Sequence, residues 1–108
     1  MTRFLSRCAV SAFALVLASP LAQARDSISR GHALVKELCA GCHAIGPTGK
    51  SPREGAPPFR TIGRSYDLDG FAERLRHGIS SGHPDMPEFI FEPADALAVQ
   101  AYLRSIQR

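Results

Sequence analysis

The chain has 108 residues, which is enough for one small domain with a limited apolar core. It contains 13 lysines and arginines against 10 acidic residues, so its formal net charge is +3. Two of the arginines, Arg3 and Arg7, lie near the N-terminus. The excess positive charge therefore does not indicate a nucleic-acid-binding surface. A domain this small usually needs a disulfide, a metal or a cofactor to supplement its core.

The first 24 residues have the pattern of a secretory signal peptide. Arg3 and Arg7 form a basic region, the apolar run Cys8–Ala18 follows, and the triplet Ala22–Ala24 has small residues at both ends. The apolar run has 11 residues, which is shorter than the roughly 20 that a membrane-spanning helix needs. We therefore expect residues 1–24 to be a cleaved leader and residues 25–108 to form the mature domain.

Three helices are predicted in the mature chain, and no segment alternates well enough to indicate a strand. The first covers about residues 28–38, with Ser27 as its N-cap. The second covers about residues 68–77, with Asp67 at its start, and the third begins at Pro93. The expected fold class is therefore all-α.

The segments between the predicted helices are long and irregular. Ala44–Tyr66 contains four prolines and four glycines, and Ile79–Glu92 holds Met86 between two prolines. Loops of this length are uncommon in a small domain unless they have a function or surround something. The pattern indicates a large ligand in place of part of the core.

The motif CAGCH, residues 39–43, follows the first predicted helix directly. A disulfide between residues three apart would close a very short loop and would give His43 no role. A redox pair of the thioredoxin type would follow a strand. A zinc site would need further ligands, and the other histidines, His32, His77 and His83, form no compact pair. None of these alternatives uses the whole motif.

The C-x-x-C-H pattern is the attachment sequence of c-type haem. Two thiols bond the two vinyl groups of the porphyrin, and the histidine that follows supplies an imidazole to the iron. The small residues Ala40 and Gly41 keep the turn close to the macrocycle. We therefore predict one covalent haem c per chain, with Cys39 and Cys42 as tethers and His43 as an axial iron ligand.

The second axial position has two candidates in this sequence. Met86 lies 43 residues after His43, between Pro84 and Pro87. A lone methionine is commonly core filler, but core packing would not require one in this loop. His83 is the competitor and would give bis-histidine ligation with a lower potential. The loop context favours Met86 as the second iron ligand.

These features resemble the class I cytochromes c, which are small single-haem proteins. The resemblance covers residues 28–107 and is carried by CAGCH, by MPEF at Met86–Phe89 and by ALAVQAYLRSI at Ala96–Ile106. It implies the small cytochrome c fold, in which the N- and C-terminal helices cross around the covalently bound haem. In that crossing Gly31 would meet Tyr102.

The resemblance also implies further residues around the cofactor. The carbonyl of Pro57, or of the adjacent Pro58, would accept a hydrogen bond from the imidazole of His43 and orient the ring. Arg64 and Tyr66 resemble the residues that hydrogen-bond a haem propionate. These assignments place part of the long first loop against the haem.

Taken together, the motifs predict a periplasmic one-electron carrier in a respiratory or dehydrogenase electron-transfer chain, and not an enzyme. Two strong axial ligands would leave no open iron site for substrate chemistry. The expected partners are a redox-protein donor and acceptor, with the protein a monomer or a small subunit of a dehydrogenase or oxidase complex. Nucleic acid and a membrane span after cleavage are not expected. With only Lys36 and Lys50 as lysines, a lysine-rich docking ring is not expected either.

Two other classes of function remain. A haem-linked enzyme subunit or gas sensor would need an open or displaceable sixth position on the iron. A zinc or thiol module without haem would use the same two cysteines for different chemistry. The occupancy of the sixth position separates the first of these from an electron carrier.

Overall fold

Helices are the regular elements of this chain, and the computed structural model describes residues 14–17, 19–79 and 82–108. Most of the predicted leader, residues 1–13 and 18, lies outside the described residues. The helices are, in chain order, α1 (Pro20–Leu38), a 3₁₀ helix (Phe59–Arg64), α2 (Phe71–His77) and α3 (Pro93–Ser105). No strand occurs among the described residues, so the all-α fold class is confirmed.

Helix α1 begins at Pro20, eight residues before the predicted start at Ile28. Proline suits a first helical position because its fixed φ fits the helix and its missing N–H would have no helical partner there. The residues that follow include alanine, leucine and glutamine, which favour helix. Apolar periodicity begins at Ile28 because burial begins there; residues 19–26 are exposed. The prediction therefore marked the buried part of the helix and missed its exposed start.

Helix α2 is shorter than predicted and begins at Phe71. Asp67 does not cap a helix; its carboxylate accepts a hydrogen bond from the N–H of Asp69 at 3.0 Å, which forms a turn two residues long. Gly70 then precedes the first helical residue. Helix α3 starts at Pro93, as predicted. No helix among the described residues has the length and apolar character needed to cross a membrane.

Helices α1 and α3 cross at Gly31. A Cβ added there would lie 2.0 Å from the carbonyl oxygen of Ala98 and 2.8 Å from the Cβ of Tyr102, so the two backbones approach too closely for a side chain. Val35 and Leu103 are each 1% exposed in this core. The predicted crossing of the N- and C-terminal helices is confirmed.

The core combines side chains from all four helices. Its buried members include Val35, Phe59, Ile62, Phe71, Leu75, Val99, Tyr102 and Leu103. The hydroxyl of Tyr102 donates a hydrogen bond to the carbonyl of Ile45 at 2.6 Å, which connects α3 to the segment just after CAGCH. The crossing helices therefore also hold the motif in place.

Gln107 joins the end of α3 to the 3₁₀ helix. Its side-chain amide donates to the carbonyl oxygens of Phe59 at 2.8 Å and Leu103 at 2.7 Å. Its side-chain oxygen accepts from the N–H of Gly63 at 2.8 Å. Local sequence patterns did not predict the 3₁₀ helix, because this segment is stabilised by a residue more than forty positions away.

Replacing Gln107 by alanine is expected to lower the free energy of unfolding by about 1–3 kcal/mol, because it leaves partly buried backbone groups without partners. Denaturant titration of the haem-loaded protein measures this change. Gln107→Glu should not rescue it, since a carboxylate would face two carbonyl oxygens. A loss no larger than that of the exposed Glu37→Ala would contradict the prediction.

Candidate cofactor-binding site

The CAGCH motif forms a helical turn that continues α1. Cys39 is the C-cap of the helix, and its N–H donates to the carbonyl of Val35 at 2.9 Å. The N–H groups of Cys42 and His43 both donate to the carbonyl of Cys39, at 3.2 and 3.0 Å. The two thiols and the imidazole therefore project from one short turn. Cys39 and Cys42 are both half-buried and are not joined by a disulfide.

The surroundings of the two cysteines do not fit a redox pair or a zinc site. Burial raises the pKa of the Cys39 thiol to about 11, whereas reactive thiols of the thioredoxin type have lowered pKa values. Within the described part of the chain, no group of three or more histidine, cysteine or acidic side chains is placed to hold a metal ion. The structure therefore gives no support to either of these alternatives.

A hydrogen bond fixes the imidazole of His43. Its Nδ1 lies 2.8 Å from the carbonyl oxygen of Pro57, and since a carbonyl can only accept, Nδ1 is the donor. The neutral ring then carries its free lone pair on Nε2, the form that binds a metal. The contact is made by Pro57, not by Pro58. The ring of Phe59 packs beside the imidazole, with the centroids 4.8 Å apart.

The polar atoms of the motif adjoin a large apolar cavity of about 710 Å³. Cys39, Cys42 and His43 all line it. Most of the remaining wall is apolar and comes from every helix and from the segment between α2 and α3: Val35, Leu38, Phe59, Ile62, Phe71, Leu75, Ile79, Phe89, Phe91, Val99 and Leu103. An apolar cavity of this size, with two thiols and an imidazole at its wall, fits a covalently attached haem.

Both candidates for the second axial position line the same cavity. The N–H of Met86 donates to the carbonyl of His83 at 3.2 Å, so the two residues share one tight turn. The Nδ1 of His83 accepts a hydrogen bond from the N–H of Asp85 at 3.3 Å. Neutral His83 therefore carries its proton on Nε2, which is the opposite arrangement from His43. Met86 is 36% exposed.

The two predicted propionate residues differ in their relation to the cavity. Tyr66 lines it, but Arg64 does not; the guanidinium of Arg64 donates to the carbonyl of Arg108 at 3.2 Å. Arg74 lines the cavity instead, with its guanidinium carbon 5.4 Å from the centre of the Tyr66 ring. Arg74 was missed by sequence reasoning, although it lies one helical turn after the buried Phe71.

Arg53 is a second cavity residue that the sequence did not single out. Its guanidinium forms an ion pair with the carboxylate of Asp85 at 2.5 Å, and this contact lowers the pKa of Asp85. The pair joins the loop after the motif to the loop that carries Met86. No local pattern indicated it, because the two residues lie 32 positions apart.

A comparison with protein families agrees with this geometry. The family model described as Cytochrome c matches residues 28–107, which is more than two thirds of the chain. The chain belongs to the cytochrome c family. Searches of curated proteins and of solved structures gave no significant match.

Membership of the cytochrome c family identifies the occupant of the cavity. Family members bind haem c covalently through C-x-x-C-H, and Cys39 and Cys42 are the cysteines of that motif in this chain. The predicted haem c and the class I resemblance are thus confirmed. This cytochrome c is a haem-based electron-transfer protein.

Proposed function

We propose that this cytochrome c is an exported one-electron carrier in a respiratory or periplasmic dehydrogenase chain. The observation that carries the proposal is the single apolar cavity that brings CAGCH, the oriented imidazole of His43 and the sulfur-bearing Met86 together. The bound haem supplies a ferric and ferrous couple that takes up and releases one electron. Its protein partners are a redox donor and acceptor, and the protein acts alone or as a small subunit of a larger complex.

In this proposal His43 and Pro57 form one half of the iron site. The carbonyl of Pro57 holds the ring and increases its basicity through the hydrogen bond at Nδ1. Nε2 of His43 would then be the atom that binds the haem iron. The apolar walls limit the access of water and so disfavour the extra charge of the ferric state, which raises the potential.

Met86 is proposed as the second axial ligand. It lines the cavity, and Pro84 and Pro87 restrict its loop, which reduces the entropy lost when the sulfur is held on the iron. His83 is less suited to bind the iron through Nε2. Its proton would have to move from Nε2 to Nδ1, and the hydrogen bond that Nδ1 accepts from the N–H of Asp85 would be lost. If His43 and Met86 both bind the iron, no site would be left open for substrate, so the protein is proposed to be a carrier and not an enzyme.

Tyr66 is proposed to meet a haem propionate together with Arg74. Both side chains line the cavity and are in contact with each other. A guanidinium beside a phenol offers a charged and a neutral donor to a carboxylate. In this proposal Arg74 contacts the propionate in place of Arg64, for which the family resemblance implied that role.

Export to the periplasm is proposed from the leader pattern of residues 1–24. Leu15, Val16 and Leu17 are 79% to 92% exposed, and residues 19–26 are exposed as well. Cleavage after Ala24 would shorten α1 at its N-terminus without removing any side chain that is buried among the described residues.

Replacing Met86 by alanine tests the proposed function. The oxidised wild-type protein should show the weak near-infrared charge-transfer band of a thioether bound to ferric haem, and the variant should lack it. The variant should also have a lower potential, because a thioether favours ferrous iron. Carbon monoxide should then bind its ferrous form, since the sixth position is open.

The matched variant is His83→Ala, which should keep the near-infrared band and the potential. If His83→Ala changes the spectrum and Met86→Ala does not, the iron is bis-histidine and the high-potential carrier is excluded. If neither change affects the spectrum, the sixth position is open, and the enzyme subunit or gas sensor replaces the carrier as the better assignment.

A further inference from the structure

The ion pair between Arg53 and Asp85 connects the haem-attachment motif to the loop that carries Met86. Asp85 directly precedes Met86 in the sequence. On the motif side, the backbone N–H of Arg53 donates to the carbonyl of Cys42 at 3.1 Å. On the other side, the guanidinium of Arg53 reaches the carboxylate of Asp85 at 2.5 Å. Arg53 is therefore tied by its backbone to a tethering cysteine and by its side chain to the loop that carries Met86.

The loop that carries Met86 is also held at its far end. The N–H of Phe91 donates to the carbonyl of Leu75 in α2 at 3.0 Å. Within the loop, the turn from His83 to Met86 is closed by the hydrogen bond between their backbones. Met86 therefore lies between a main-chain anchor at Phe91 and a side-chain anchor at Asp85. The Asp85 anchor is adjacent to Met86 in sequence, whereas the Phe91 anchor lies five residues after it.

We propose that Arg53 and Asp85 are positioning residues that keep the Met86 loop closed over the cavity. This inference rests on the proposed ligation by Met86. An external ligand reaches the sixth position only while the methionine is away. Its apparent affinity is therefore its intrinsic affinity multiplied by the fraction of open molecules. The ion pair lowers that fraction, because opening separates the two charges.

The size of the effect follows from the exposure of the pair. The side chains of Arg53 and Asp85 are 41% and 60% exposed, and exposed ion pairs contribute modestly and are screened by salt. The pair therefore shifts the open population by a small factor and leaves the fold intact. Because apparent ligand affinity scales with the open fraction, that factor appears as an equal change in ligand affinity.

Imidazole binding to the ferric, haem-loaded protein tests the proposal. Arg53→Gln and Asp85→Asn should each increase the apparent imidazole affinity about two- to fivefold, and the double variant should not exceed the larger single effect. The exchanged pair, Arg53→Asp with Asp85→Arg, should return the affinity toward the wild-type value. Added salt should increase imidazole affinity in the wild type but not in the neutral variants.

Arg104→Gln is the matched control. Arg104 pairs with Asp69 at 2.8 Å, with side chains 56% and 77% exposed, and neither residue lines the haem cavity. The Arg104→Gln variant should leave the imidazole affinity unchanged. If Arg53→Gln and Asp85→Asn behave like this control while the near-infrared band is present, the positioning role is wrong and Met86 ligation stands. If the wild type lacks the band, both proposals fail.

Global stability separates positioning from a general structural role. The unfolding temperatures of the same variants should differ from that of the wild type by no more than the unfolding temperature of Arg104→Gln does. If affinity and unfolding temperature change in proportion across all the variants, the pair contributes to the fold as a whole and the proposal is overturned.

Discussion

Replacing Cys39 and Cys42 together by alanine is expected to separate the haem from the polypeptide and to leave a chain that unfolds or is degraded. Thioether bonds survive denaturation, whereas a coordinated haem dissociates from an unfolded chain. The wild-type protein should therefore retain haem on a denaturing gel and the double variant should not. Each single variant keeps one tether and should retain haem at a reduced level.

The loss of structure follows from the position of the cavity in the core. Phe59, Leu75, Val99 and Leu103 belong to the buried core and also line the cavity of about 710 Å³. Without the ring, these walls face a void or water, and a small domain has little other apolar contact to offset that. Circular dichroism of the double variant, produced with the haem-attachment machinery, measures the loss.

Gly46→Ala is the control for both measurements. A Cβ at Gly46 would meet no atom within 4 Å, and the residue lies just outside the motif. This variant should attach haem and fold like the wild type. Haem that stays with the double cysteine variant on the gel would show that the tethers lie elsewhere.

Local patterns predicted the part of the site that lies close together in sequence. Cys39, Cys42 and His43 occupy one helical turn, so their spacing alone determines how they project. The start of α3 was also predictable, because Pro93 is a strong local signal. The pairing of Gly31 with α3 was inferred from the family resemblance and depends on a contact that only the fold creates.

Contacts between distant segments were not predictable from local patterns. Gln107 hydrogen-bonds the 3₁₀ helix from the far end of the chain. Arg53, which lies in another loop, forms an ion pair with Asp85 in the loop that carries Met86. Arg64 and Arg74 are both arginines in plausible positions, and only packing decides which guanidinium lies at the cavity. The local sequence predicts the haem-attachment motif, and the fold determines which residues surround it.

Replacing Gly31 by alanine is expected to destabilise the protein strongly, although alanine favours helix over glycine by about 1 kcal/mol. The new Cβ would lie 2.0 Å from the carbonyl oxygen and 2.6 Å from the carbonyl carbon of Ala98. Both are backbone atoms, so no side-chain rotation relieves the overlap and α1 must move away from α3. We expect the free energy of unfolding to fall by about 3 kcal/mol, at the upper end of overpacking costs, as measured by denaturant titration.

Ala33→Gly is the matched change on the same helix, because Ala33 is exposed and only helix propensity is altered. It should cost about 1 kcal/mol. A Gly31→Ala variant as stable as the wild type would mean that α1 and α3 are farther apart than the structure has them. The displacement should also reach the haem, since Tyr102 lies at the crossing and its hydroxyl holds the carbonyl of Ile45, two residues after His43. Gly31→Ala should therefore weaken the near-infrared band as well, and Ala33→Gly should not.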